Sequence, residues 1–128
     1  MKAGDINLLD GKGYEIIELL QGLEVPRTEA ISIACLVCGD ELTSQNIEQA
    51  SGLRQPEVSI AMRPLRERGW IEERNEKKNT DKGRPVKYYK LIVPFEDIVK
   101  TFESKALKKN LEMVEALEQL KGLSNNIQ

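Results

Sequence analysis

The 128 residues suffice for one domain with an additional contact surface, and the 40% hydrophobic and 31% charged residues indicate a folded protein. Histidine is absent, and no glycine-rich phosphate loop or nucleophile elbow is found, so neither an enzyme nor catalytic residues are expected. Without a long apolar run, a signal peptide or a cysteine framework, the sequence predicts a cytoplasmic protein with no membrane partner and no cofactor.

The net charge of −2 is unevenly distributed along the chain. Residues 1–53 carry three basic and nine acidic side chains, whereas residues 54–90 carry 11 basic and six acidic ones. Residues 91–128 are nearly balanced, with five basic and six acidic side chains. The positive charge lies in one middle block, as contact with phosphates requires, although an ordinary solvated surface is the alternative interpretation.

Helical periodicity dominates the first third of the chain. Gly11 and Gly13 are expected to end a short N-terminal arm. A first helix follows, indicated by apolar residues at helical spacing: Tyr14, Ile17, Leu20 and Leu23. Pro26 and Thr28 are expected to open a second helix, apolar on nearly all sides, which Gly39 ends.

The next stretch predicts two helices joined by a tight turn. Thr43 is the expected N-cap of the first helix, and Gly52 ends it. Pro56 suits the first turn of the second helix, whose predicted apolar stripe is Val58, Ala61, Met62 and Leu65. Leu53 is expected to fill the gap between the helices, which projects the outer face of the second one, as in a helix-turn-helix.

The outer face of this second helix carries side chains suited to reading bases. By spacing it consists of Gln55, Ser59, Ile60, Arg63 and Arg66. Arginine can pair with guanine, glutamine with adenine, and an aliphatic side chain can touch a thymine methyl. Pro64 is expected to kink the helix near Ile60, which leaves open whether Arg66 reaches bases or only phosphates.

Residues 70–74 and 84–93 have strand character and flank a polar loop at 75–83, so together they predict a β-ribbon. Pro94 ends the second strand, and the chain is expected to be helical from Phe95 to about Leu120. The predicted fold class is mainly α with a small β-ribbon (α+β), a winged helix-turn-helix with a long C-terminal dimerisation helix. Residues 1–93 form the expected DNA-binding domain and residues 94–128 the dimerisation helix.

Two motifs carry a resemblance to a known group of proteins. They are Leu-Arg-Glu-Arg-Gly-Trp-Ile at residues 65–71 and Gly-Arg-Pro-Val-Lys-Tyr-Tyr-Lys-Leu at residues 83–91. With the helix-turn-helix, they make residues 25–105 resemble the prokaryotic winged-helix regulators of the MarR, ArsR and TrmB groups, above all the archaeal TrmB-like branch. The resemblance implies that residues 55–66 lie in the major groove. It also implies that the wing tip touches backbone or minor groove through Lys77, Lys78, Lys82 and Arg84.

The predicted function is therefore sequence-specific binding of double-stranded DNA by a transcriptional regulator. A winged-helix protein-interaction module of the transcription machinery is the alternative. The residues expected to contact DNA are Thr43, Ser44, Arg54, Gln55, Pro56, Ser59, Ile60, Arg63, Arg66, Lys77, Lys78, Lys82, Arg84 and Lys87. The sequence shows no effector site, which leaves open whether a small-molecule effector of unknown identity binds between the helices of a dimer, as in MarR-like proteins.

The C-terminal helix predicts a homodimer. Its apolar stripe consists of Leu107, Leu111, Val114, Leu117 and Leu120. A helix of this length is too long to be buried wholly against so small a domain, so the stripe is expected to contact a second copy. Tyr14 and Ile17 of the first helix are assigned to the same interface, and packing of the stripe onto that helix of its own chain is the alternative.

Cys35 and Cys38 form a Cys-x-x-Cys pair. Two thiolates can ligate zinc or form a redox couple. Both cysteines, however, lie in an apolar helix, and the sequence offers no second pair and no histidine. Burial as small hydrophobic side chains is the favoured interpretation, so no metal site is predicted.

Overall fold

A computed structural model describes residues 8–76 and 86–127, and the chain divides into two compact units, Met1–Pro94 and Phe95–Gln128. The described part of the first unit contains four helices and three short strands. In chain order these are α1 (Gly11–Gly22), α2 (Arg27–Cys38), β1 (Leu42–Thr43), α3 (Ser44–Ser51), α4 (Gln55–Glu67), β2 (Ile71–Glu76) and β3 (Val86–Leu91). The second unit consists of one helix, α5 (Phe95–Ile127). The prediction of a mainly helical α+β protein is confirmed.

Helix α1 begins earlier than expected. The Asp10 side chain accepts a hydrogen bond from the Gly13 amide at 3.1 Å and caps the helix, so Gly11 and Gly13 lie within it. The prediction that these glycines end an N-terminal arm was wrong, because the aspartate cap outweighs the low helix propensity of glycine. Gly13 is buried, and a Cβ there would lie 3.0 Å from Leu9 and 3.3 Å from the Cys38 sulfur. The lack of a side chain at Gly13 therefore allows the backbone of α1 to lie close to Leu9 and Cys38.

The start of α3 combines a confirmed prediction with a missed strand. The Thr43 hydroxyl accepts a hydrogen bond from the Asn46 amide, while the Asn46 side chain accepts one from the Thr43 amide, so Thr43 is the N-cap. Leu42 and Thr43 also form β1, which pairs antiparallel with β3 opposite Tyr89 and Tyr88. The sheet therefore has three strands in the order β1-β3-β2 rather than the two of the predicted ribbon.

The core of the first unit contains the predicted face of α4. Val58, Ala61, Met62 and Leu65 are all buried, together with Ile33 and Ile47 of the preceding helices. Helix α4 continues through Pro64 as far as Glu67, and the kink expected near Ile60 stays a prediction. Because every member of this apolar stripe lies in the core, the opposite face of α4 is directed to solvent.

Strand β2 ends two residues later than predicted, and β3 lies within its predicted range of 84–93. They pair antiparallel from Ile71 opposite Leu91 to Glu76 opposite Val86, so Asn75 and Glu76 belong to β2 rather than to a loop. Trp70 lies just before β2, and its carbonyl accepts a hydrogen bond from the Ile92 amide at 2.8 Å.

Helix α5 is longer than expected and contains 33 residues, which is about 50 Å at 1.5 Å per residue. Ile98 and Phe102 are its buried side chains, whereas Leu107, Leu111, Val114, Leu117 and Leu120 are exposed. Within the described residues, no helix is both long and apolar enough to cross a membrane.

Candidate nucleic-acid interface

The turn between α3 and α4 is held by local contacts. Gly52 has a φ of 82°, a left-handed conformation that glycine adopts without strain and that ends α3. The Ser51 hydroxyl donates to the Ile47 carbonyl at 2.6 Å and accepts from the Leu53 amide at 3.1 Å. Leu53 is buried, as predicted from its place between the two helices. These contacts fix the direction in which α4 leaves the turn.

The first turn of α4 is stabilised by its own acidic residue. The Glu57 carboxylate accepts a hydrogen bond from the Arg54 amide at 2.9 Å, next to the positive end of the helix dipole. Arg54, Gln55 and Pro56 are exposed at the start of the helix. Glu57 is therefore engaged with the backbone, and its neighbours remain accessible to a partner.

The outer face of α4, the set Gln55, Ser59, Ile60, Arg63 and Arg66, is exposed at every position. Ile60 is 63% exposed among polar neighbours, the environment expected of an aliphatic contact to a partner molecule. Arg63 has no hydrogen-bond or ion-pair partner within the described part of the chain. The outer face thus brings together a polar amide, a hydroxyl, an aliphatic side chain and an unpaired guanidinium.

Other arginines near this face are already engaged. Arg66 donates to Glu73 of β2 at 2.8 Å, and the same carboxylate lies 3.5 Å from the Lys87 ammonium of β3. Arg68 lies over the Trp70 ring, with its guanidinium carbon 4.8 Å from the ring centroid. Burial, followed by the nearby Glu73 charge, raises the pKa of Tyr89. Sequence reasoning did not identify Glu73, because its partners lie on two other elements.

The remaining predicted contacts fall into two groups. Thr43 and Ser44 use their hydroxyls within α3, since Thr43 caps the helix and Ser44 donates to Glu48 at 2.8 Å. Lys87 is exposed on β3 within the group of Arg66 and Glu73. The predicted wing-tip residues Lys77, Lys78, Lys82 and Arg84 lie outside the described residues.

Comparison with solved structures identifies the fold. TrmBL2, an archaeal chromatin protein that binds DNA, is 23% identical over 86% of this chain with a TM-score of 0.57, and the match covers 39% of TrmBL2. A possible transcriptional regulator from Methanosarcina mazei is 14% identical over 84% of this chain and 86% of its own, with a TM-score of 0.54. A PadR family regulator from Clostridium difficile is 18% identical over 69% of this chain and 97% of its own, with a TM-score of 0.44. No protein-family model matches the chain, and no curated protein matches its sequence.

This chain has the winged-helix fold. The predicted resemblance to prokaryotic winged-helix regulators is thereby confirmed at the level of the fold. TrmBL2 is described as a chromatin protein and the Methanosarcina mazei protein as a possible transcriptional regulator. That this chain is not an enzyme stays a prediction. The winged-helix chain spans only about two fifths of TrmBL2, so the likeness concerns one part of that protein.

The winged-helix unit also contains a small cavity next to α1. Its volume is about 210 Å³, and it is lined by Leu9, Tyr14, Ile17, Arg27, Ile31 and Ser51. Tyr14 is exposed and Ile17 half-buried, so the two residues assigned to a dimer interface lie side by side at an open surface. The binding of a small-molecule effector stays a prediction.

The two cysteines of the winged-helix unit have different environments. Cys35 is buried, and this burial, with a smaller effect of Cys38, raises its pKa to about 12. Cys38 is exposed at the end of α2, and desolvation of its thiol by the neighbouring atoms, followed by the Asp10 charge, raises its pKa. Reactive cysteines need a lowered pKa, so neither thiol is activated for reaction. The predicted burial as a small hydrophobic side chain holds for Cys35, but it was wrong for Cys38, which is exposed where α2 ends.

Proposed function

We propose that this winged-helix chain is a transcriptional regulator of the cytoplasm that binds double-stranded DNA in a sequence-specific manner through α4. The observation that carries the proposal is the division of α4 into two faces. Its inner face is wholly buried in the core, and its outer face presents Gln55, Ser59, Ile60 and an unpaired Arg63. A helix held rigidly by one face and exposed by the other is the element that a major groove accepts.

The side chains of the outer face suit base edges better than a generic polyanion. Arg63 can donate two parallel hydrogen bonds to guanine, and Gln55 can bind adenine with its amide. Ile60 offers an apolar contact to a thymine methyl. A surface that bound phosphates alone would need lysines or arginines at most of these positions. The outer face has two cations, Arg63 and Arg66, among its five residues.

The other predicted contacts are assigned to the DNA backbone. Arg54 and Pro56 lie at the start of α4, and Thr43 and Ser44 at the start of α3, where helix N-termini favour phosphates. Lys87, with Lys77, Lys78, Lys82 and Arg84, is assigned to the wing. These contacts position the protein and contribute most of the salt-dependent affinity.

The regulator is proposed to act as a homodimer through α5. The apolar stripe of this helix is between 46% and 63% exposed in the single chain, an exposure that is unfavourable without a partner. Two copies related by a two-fold axis can place their α4 helices about 34–36 Å apart, one turn of DNA. Tyr14 and Ile17 are proposed to join this interface.

Selection of bound duplexes from a random pool tests the proposal. We expect recovery of a palindrome with half-sites about one helical turn apart, and affinity that falls steeply as the salt concentration rises. Folded protein that binds no duplex at low salt would contradict the proposal and favour the protein-interaction module. Recovery of bound duplexes that share no sequence would support DNA binding but exclude a sequence-specific regulator.

A further inference from the structure

One face of the β2–β3 ribbon continues beyond the hydrophobic core. Glu73 pairs with Tyr89 across the strands, and Asn75 pairs with Lys87, so the alternation of side chains places Ile71, Glu73, Tyr89 and Lys87 on the same face. Ile71 and Tyr89 are buried, Glu73 is half-buried and Lys87 is exposed. The carboxylate of Glu73 therefore lies at the edge of the core, between packed and solvated side chains.

Glu73 uses both of its carboxylate oxygens, each toward a different element. Oε1 accepts a hydrogen bond from Arg66 Nη1 of α4 at 2.8 Å, and Oε2 lies 3.5 Å from Lys87 Nζ of β3. The Glu73 side chain is 23% exposed, compared with 44% for Arg66 and 46% for Lys87. The Glu73 carboxylate is thus less exposed to solvent than the two cations that it binds, one on α4 and one on β3.

We propose that Glu73 is a positioning residue that determines the sequence specificity of DNA binding, an inference that rests on the function proposed above. It binds the last arginine of the outer face and a lysine of the wing, so both contact phosphates less strongly than unpaired cations would. Arg63, which has no partner within the described residues, is then the arginine of α4 that is available to bases. Glu73 in this way decides which arginine of the helix reads the sequence.

The physical reason lies in the two components of DNA affinity. Cations that contact phosphates strengthen binding to every sequence alike, whereas base contacts strengthen binding only to the preferred site. Specificity is the difference between the two affinities. The Glu73 carboxylate holds Arg66 and Lys87 in place and adds a negative charge between them, so it weakens their contacts with phosphates. Affinity for random duplexes, which depends on such contacts alone, falls more than affinity for the preferred site, which also depends on base contacts.

The first experiment uses the full chain without DNA. Arg66 guanidinium resonances are recorded for the wild type and for Glu73→Gln, Glu73→Asp and Glu72→Gln. Glu72→Gln is the matched control, because it removes the same charge one residue away on the exposed, opposite face of β2. Resolved Nη signals are expected in the wild type and Glu72→Gln, and averaged signals in Glu73→Gln. Identical Arg66 spectra in the wild type and Glu73→Gln would overturn the positioning role.

The second experiment measures affinity for the selected site and for a random duplex across a salt series. Glu73→Gln is expected to lower the ratio of the two affinities about tenfold, mainly by tighter binding to random DNA. Its log–log salt slope on random DNA should steepen by about one to two. Glu72→Gln should leave the ratio unchanged, and Glu73→Asp, which keeps the charge but shortens the reach, should lose part of it.

The outcomes separate this inference from the function on which it rests. Equal ratios for Glu73→Gln and Glu72→Gln, with a wild type that binds its site, overturn the role of Glu73 alone. A wild type that binds no duplex overturns the proposed function and the specificity role together. In that case the Arg66 spectra still decide whether Glu73 joins α4 to the ribbon.

Discussion

Arg74 of β2 binds Glu41 on the far side of β3, with Nε 2.7 Å from Oε2 and Nη2 3.0 Å from Oε1. The guanidinium carbon of Arg74 also lies 4.4 Å from the centroid of the Tyr88 ring of β3, in a cation–π contact. Glu41 directly precedes Leu42, the first residue of β1. A single side chain thereby connects all three strands, and the two-residue β1 gains an anchor besides its backbone pairing.

This contact predicts a pH dependence of stability. The hydrogen bond from Arg74 lowers the pKa of Glu41 below its ordinary value of 4.5. A carboxyl with a lowered pKa stabilises the fold above its unfolded-state pKa, and this contribution is lost as the pH falls through the folded-state pKa. Glu41→Gln should therefore lower the midpoint of thermal unfolding slightly at neutral pH, and the difference from wild type should shrink below pH 4.5.

Circular dichroism melts at a series of pH values measure this difference. Asp40→Asn removes the same charge from the neighbouring exposed residue and is expected to show no such pH-dependent difference. A gap between wild type and Glu41→Gln that stays constant from neutral to acidic pH would show that the ion pair does not stabilise the sheet.

The helices and the turn between them could be predicted because their signals are local. Thr43 as N-cap, Gly52 as terminator and the stripe from Val58 to Leu65 are all recognisable within a few residues of sequence. The outer face of α4 follows from the same periodicity. This much of the fold and of the candidate site needed no knowledge of tertiary contacts.

The rest depends on contacts between residues distant in sequence. Strand β1 has only two residues, too few for an alternating pattern, and exists through its pairing with Tyr88 and Tyr89. Glu73 gains its contacts with Arg66 and Lys87 from the register of β2 against β3 and from the direction in which α4 ends. Neither is encoded in a local motif, so the sequence indicated Arg66 but not its partner.

Arg63→Ala tests the assignment of base reading. Because its guanidinium is exposed and unpaired within the described residues, Arg63 is expected to bind a base. Its loss should cost about 1–3 kcal/mol on the selected site and relax the preference at one position, as measured by competition between duplex variants. Arg84→Ala is the comparison, because a backbone contact should weaken all sequences alike and flatten the salt slope. Equal losses on selected and random DNA for both variants would refute this division.

The cysteines are expected to be dispensable for DNA binding. Cys35 is fully buried and its thiol, with a pKa of about 12, stays neutral at physiological pH, so alkylation should require unfolding. Cys35→Ala should lower the free energy of unfolding by about 1 kcal/mol through lost packing, whereas Cys38→Ala at an exposed position should change it little. Urea titration and mass spectrometry after alkylation measure these effects. A stoichiometric metal in the wild type that is absent from the variant with both Cys35→Ala and Cys38→Ala would show that the pair is a binding site.

The exposed stripe of α5 gives the prediction with the largest expected effect. At about 100° per residue, Leu107, Leu111 and Val114 cluster on one side of the helix, and Leu117 and Leu120 continue the surface round by up to about 140° from Leu107. Such a surface is wider than the seam between two helices, so its burial requires more than one neighbouring helix. Tyr14 of α1, which is exposed in the single chain and was proposed above for the dimer interface, is the candidate for this contact in the partner copy.

Leu111→Glu combined with Leu117→Glu places two charges within this surface, and desolvating them in an interface is unfavourable. The variant should be monomeric by analytical ultracentrifugation, bind the selected palindrome much more weakly and keep its circular dichroism spectrum. Gln119→Glu with Asn126→Glu adds the same charge to the polar side of α5 and should remain dimeric. The affinity for the palindrome is expected to fall because a monomer binds one half-site and loses the second set of base contacts. A wild-type protein that sediments as a monomer at micromolar concentration would exclude the dimer.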